Sequence, residues 1–178
     1  MKIIILFIIF CSNQIMAQVN LWEIQFQTLD GKTINMHDFK GKKILIASVS
    51  PEKLRNGSLK FLDSVQAAYP AAVVIAIPAA DYGDTLITDI IMNEIKNSVS
   101  YQSVVTVPAL VKKESGINQF SLAAWLTHHE INGHFDADVS TDYQVFIISE
   151  SGILYTELQE DITFQTITQL FSQADIKE

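Results

Sequence analysis

Apolar and polar positions recur along this chain at two periods, and together they sort it into strands and helices. Residues 22–26 alternate with period two, Asp30-Gly31 follows as a turn, and a second short segment centres on Ile34. That pattern predicts a β-hairpin. The continuous apolar runs ILIASV (44–49) and AVVIAI (72–77) predict two strands covered on both faces. Between them Leu59, Leu62, Val65 and Tyr69 share one helical face over residues 58–69, and Pro70 ends it. From Thr85 the stripe Leu86, Ile87, Ile90, Ile91 and Ile95 predicts a helix with Asp84 as its cap. Residues 118–128 predict a third helix carrying Phe120, Trp125 and Leu126. Residues 143–148 and 153–158 form a hairpin about Ser151-Gly152, and Phe164, Ile167, Leu170 and Phe171 close the chain as a helix over 163–171. The order ββ-β-α-β-α-α-β-β-α implies an α/β class: one layered domain around a mixed central sheet. No repeat, low-complexity tract or Pro/Gly-rich linker suggests a boundary.

The first 17 residues follow a different pattern. Lys2 precedes the apolar run Ile3 to Phe10, and the segment ends on the small residue Ala17. This is the layout of a secretory signal peptide, and the run is too short for a bilayer, which needs roughly 20 apolar residues. The expected organisation is a signal peptide over 1–17 and one domain over 18–178, in a secreted or periplasmic protein. A lipoprotein reading would make Cys11 the modified residue, but Ile9 and Phe10 before it are larger than such a site favours.

Composition narrows the classes further. Twenty acidic residues against 12 basic give a net charge of -8, which argues against nucleic-acid binding, since neutralising phosphates needs clustered Lys and Arg. A hydrophobic share of 48% supports a packed core rather than disorder. The single cysteine is Cys11, inside the leader, so an exported chain beginning at Gln18 would hold no thiol at all. No disulfide and no thiolate metal site is open to it. The glycines are scattered at turns and build no phosphate loop, and no Gly-x-Ser-x-Gly elbow occurs. The cluster Lys40, Lys42, Lys43 reads as a solvated turn.

A set of landmarks then carries a resemblance. LDGKTINMHDFKGKKILIASVS is followed by Ile77-Pro78, Tyr82-Gly83, VTVPAL at 105–110 with Lys112, AAWLT at 123–127, Asn132-Gly133 and YQVFIISESGILY. In order and spacing they resemble the glutathione peroxidase family of the thioredoxin-like superfamily, over roughly residues 22–172. The resemblance implies a thioredoxin-like fold with a mixed central sheet, helices on both faces and an N-terminal β-hairpin. It also implies a cis proline at Pro108, beside the active site. That family attacks hydroperoxides with a cysteine or selenocysteine just after the first central strand, because a thiolate is the nucleophile that passes through a sulfenic acid. Here that position is Lys53. The family's glutamine matches Asp81, its tryptophan and asparagine match Thr141 and Asp142, and the second cysteine of some members matches Ala79. The thiol chemistry is therefore missing from its place, and the expected catalytic set is none.

If the family's geometry holds, Lys53, Asp81 and Asp142 converge on one pocket. They could pair internally, bind a small polar ligand or act as an acid/base pair, or stand as ordinary surface charges. A second constellation, His128, His129, Glu130, His134, Asp136 and Asp138, offers metal-ligating side chains, although its spacing matches no zinc or calcium signature. Three functional classes follow. The first is a pseudoenzyme serving as a binding module for a protein or small-molecule partner, monomeric and without cofactor. The second is a peroxide-reducing oxidoreductase of the oxidative-stress response working by an unrecognised route. The third is a metal-binding envelope protein using the 128–138 loop.

Overall fold

The computed structural model describes residues 19–97 and 102–173, so the leader and its cleavage point lie outside the described residues. Asn20 caps a 3-10 turn at Leu21–Glu23, where its Oδ1 accepts the Trp22 N–H at 3.0 Å. Trp22 thus belongs to a turn, and the expected first strand starts later. β1 (Gln25–Gln27) pairs antiparallel with β2 (Thr33–Asn35), which is the hairpin the alternation predicts.

β3 (Ile44–Val49) begins the central sheet. It leads directly into α1 (Pro51–Lys53), a π turn at Leu54–Ser58 and α2 (Leu59–Ala68). β4 (Val73–Pro78), α3 (Thr85–Asn97) and the two-residue β5 (Val104–Val105) follow. α4 (Ser121–Thr127) is the helix expected over 118–128, starting three residues later, and the short α5 (His129–Asn132) follows it. His128 between them is extended, and Gly133 ends α5 in the left-handed region. β6 (Tyr143–Ile148), β7 (Leu154–Leu158) and α6 (Phe164–Phe171) complete the chain. The Thr163 hydroxyl caps α6 by accepting the Thr166 N–H at 3.2 Å.

Strand order is β5-β4-β3-β6-β7, with β3, β4 and β5 parallel and β6 and β7 antiparallel. The sheet is mixed, as expected. Because side chains alternate along β3, the strand feeds two cores. Ile44 and Ile46 face a cluster with Leu21, Ile24, Phe26, Met36, Leu122, Trp125 and Phe146, beneath the hairpin and α4. Leu45, Ala47 and Val49 face the other, with Leu62, Val65, Ile91, Ile95, Ile167 and Phe171 of α2, α3 and α6. All six residues of β3 are buried, which explains its unbroken apolar run.

The Lys40–Lys43 cluster needs a correction. Lys43 is buried: its Nζ donates to the carbonyl of Phe171 at 2.8 Å and to that of Gln173, and lies 3.9 Å from Glu150. An ammonium at a helix C-terminus satisfies carbonyls that have no partner within the helix.

Candidate functional site

The site is built where β3 ends. The Ser50 N–H donates to the Asp142 carbonyl at 2.8 Å, tying the end of β3 to the segment before β6. Ser50 caps α1 and Pro51 occupies its first turn, where a missing N–H costs nothing. One turn on, the Lys53 Nζ meets Asp142 Oδ1 at 2.8 Å, with both side chains nearly half exposed. Two members of the expected trio therefore converge.

The hydrogen bonds of Asp81 go elsewhere. In the 3-10 turn Ala80–Tyr82, its Oδ2 accepts the N–H groups of Val111 and of Lys112 (3.1 Å), and Oδ1 accepts the Ser115 hydroxyl at 3.3 Å. Two backbone donors and the Ser115 hydroxyl satisfy this carboxylate, so it clamps the 111–115 loop. The Thr141 hydroxyl donates to the Tyr143 carbonyl at 2.9 Å and closes the turn before β6. Ala79 bridges Ala109, and its N–H donates to Val49 at 2.8 Å. Pro108 sits beside this row, but no cis peptide occurs among the described residues, against the expectation from resemblance. Extended chain on both sides is held by hydrogen bonds, Val107 to Gln27 at 3.1 Å and Ala109 to Pro78 at 3.0 Å.

Tyr82, noted in the sequence only as a landmark, is the aromatic centre of this end. Its hydroxyl donates to the Val139 carbonyl at 2.8 Å, and the Lys112 ammonium lies 4.3 Å above its ring. Burial, then the carboxylates of Asp138, Asp81, Asp142 and Glu114, hold the phenol above its usual range. Chemically, Lys53 and Asp142 can trade a proton or bracket a polar group. Neither carries a sulfur that could be oxidised and reduced in turn.

The 128–138 residues are dispersed among separate partners. His128 Nε2 lies 3.0 Å from Gln119 Oε1, and Nδ1 lies 3.1 Å from Glu130. The Gln119 amide nitrogen already donates to Val111 and Thr127, so its oxygen is the acceptor and His128 Nε2 is assigned the hydrogen. Glu130 is held below the usual carboxylate range by its own backbone N–H and by His128. Asp136 pairs with the Lys113 ammonium, which lowers its carboxyl in the same way. Asp138 accepts the N–H groups of Lys113 (2.9 Å) and Val139 (2.8 Å). His129 opens α5 on the surface, and His134 lies on the wall of a separate cleft. Among the described residues no three His, Cys, Asp or Glu side chains gather as a metal site, so the loop does not assemble the expected ligand set. No described helix is long and apolar enough to cross a membrane.

No protein-family model and no curated protein matches the sequence. Solved structures do match the fold. The crystal structure of Trgpx in apo form has a TM-score of 0.61 at 14% identity, covering 86% of this chain and 93% of that one. The exposed lipoprotein thioredoxin Etrx1 of Streptococcus pneumoniae gives 0.55 at 18% identity, covering 83% and 96%. T. cruzi GPX1 gives 0.53 at 15%, covering 85% and 93%. At such identities the likeness establishes a thioredoxin-like fold and nothing narrower.

Proposed function

We propose that this chain is an exported, thioredoxin-fold binding protein of glutathione peroxidase-like type, in which an ion pair stands where the family keeps its reactive thiol. The observation that carries the reading is Lys53, one helical turn beyond β3, with its Nζ 2.8 Å from Asp142 Oδ1. The sequence supports it, because the only cysteine is Cys11, which the leader reading removes on export. The likeness to Trgpx and T. cruzi GPX1 is consistent with a peroxidase ancestry. A half-exposed ammonium–carboxylate pair leaves two charged groups at a surface where a polar partner group can displace one of them.

The test is peroxide reduction by the chain beginning at Gln18, with glutathione or thioredoxin regenerated by its reductase. The expected result is no turnover above a heat-inactivated control. Turnover above that control would overturn the reading.

A further inference from the structure

We infer that Asn56 is a site of spontaneous covalent modification, where the side-chain amide is lost as ammonia to attack by the following backbone nitrogen. The product is aspartate or isoaspartate, three residues from Lys53. The inference does not depend on what Lys53 does.

Two asparagine–glycine steps occur in the chain, Asn56-Gly57 and Asn132-Gly133. Glycine favours the reaction because it has no Cβ to crowd the attacking nitrogen. At the first step, the Gly57 nitrogen gives its proton to solvent base and bonds to Asn56 Cγ. The bond from Cγ to Nδ2 breaks, and ammonia departs with a proton returned from solvent. Water then opens the cyclic imide at either carbonyl. Opening at one gives an aspartyl residue, and opening at the other routes the main chain through the side chain as isoaspartyl. Nothing is oxidised or reduced, and water is the only reactant consumed.

The fold treats the two steps oppositely. Asn132 is 5% exposed and fully committed. Its Nδ2 donates to the Trp125 and Phe135 carbonyls, and its Oδ1 accepts the His134 and Phe135 N–H groups. The nitrogen that would attack it is committed too, since the Gly133 N–H donates to the His129 carbonyl at 2.7 Å. Asn56 is exposed, and among the described residues its side chain has no hydrogen-bond partner. A regular helix would still shield it, by holding each N–H in a bond to the carbonyl four residues back. That ladder is disturbed at this point. The Leu59 N–H reaches back five residues to the Leu54 carbonyl, and Gly57 leaves the helical region at φ 126° and ψ −16°. A Cβ at Gly57 would meet no atom within 4 Å, so the backbone beside the attacking nitrogen is uncovered. Reaction at Asn56 therefore asks only a local opening of one irregular turn, whereas reaction at Asn132 asks that a buried network come apart. Its product replaces a neutral side chain with an anion next to Arg55 and close in sequence to the Lys53–Asp142 pair.

The chain beginning at Gln18 is held folded at mildly alkaline pH, digested under acidic conditions and read by peptide mass, with an isoaspartyl methyltransferase reporting isoaspartate. The Asn56 peptide is expected to convert from amide to acid roughly tenfold or more faster than the Asn132 peptide, whose buried hydrogen bonds must open first. In urea, with the fold removed, the two should react at similar rates. Asn56→Gln lengthens the side chain and requires a larger ring, so it should abolish conversion at that peptide and leave Asn132 as before. The inference is overturned if Asn132 converts as fast as Asn56 in the folded chain. It is also overturned if folding slows Asn56 as much as it slows Asn132, because the π turn would then shield its nitrogen as a regular helix does. The readout is mass and not turnover, so failure here and failure of the reading at Lys53 are told apart.

Discussion

Lys43 and Lys53 carry the same ammonium and face opposite physical situations. Lys43 is 8% exposed and holds the last carbonyls of α6, while Lys53 shares water with Asp142. Lys53→Ala should therefore change unfolding free energy by no more than about 1 kcal/mol, as exposed ion pairs do. Lys43→Ala leaves buried carbonyls without a donor and should cost about 1–3 kcal/mol. Urea denaturation of the two variants measures both, and equal losses would contradict the difference in burial. The sequence could not separate these lysines, because the partner of Lys43 lies 128 positions away. Acid behaviour belongs at this scale too. Asp136 and Glu130 titrate below the ordinary carboxylate range in the folded chain. Their ionised forms thus favour folding above the unfolded-state pKa, near 4, and that contribution is lost as pH falls through the folded values. Asp136→Asn should be slightly less stable than the parent at neutral pH. The two should converge as pH falls through the folded-state value of that carboxyl, read from thermal midpoints across the acid range.

At the scale of elements, the segment after β3 shows what periodicity reads well and what it misses. The stripe over 58–69 predicts α2, yet the helical segment already starts at Pro51. Ser50 caps the segment and Pro51 opens its first turn, and a π turn at Leu54–Ser58 breaks the spacing between them and α2. Within that turn Gly57 has φ 126° and ψ −16°, and a Cβ there would meet no atom within 4 Å. Gly57→Ala consequently tests the backbone alone. It should destabilise by about 1–3 kcal/mol without any steric clash. A thermal midpoint equal to the parent's would show that the π turn relaxes at no cost. β5 escaped the sequence because two residues are too few to show a period. The Lys53–Asp142 pair was legible only through the resemblance, which supplied the register. The partners of Asp81 were not legible, because they are mainly backbone donors 30 and 31 positions on, which side-chain patterns cannot reveal.

Across the whole molecule, the question is whether the two cores form one folding unit. The α/β layering was legible because most strands and helices carry an apolar run or a period of their own. How the layers lock together was not, since it depends on β3 lying between β4 and β6 with all its side chains buried. Leu45 and Ile46 are neighbours on one strand but belong to opposite cores. Losing either face strips the same backbone of its packing, so the two should melt together. Leu45→Ala tests this directly, and the cavity should cost about 2–5 kcal/mol. Trp22 and Trp125 both lie on the Ile46 side, so tryptophan fluorescence reports the face that the substitution does not touch. Helical circular dichroism draws mainly on α2, α3 and α6, which pack on the Leu45 side, with a smaller share from α4 on the other. In a shared unit, both probes shift to the same lower denaturant midpoint with the same slope. A fluorescence midpoint that stays at the parent value while the dichroism midpoint falls would mean that the hairpin face holds together alone, with β3 as a seam between two units instead of the shared centre of one.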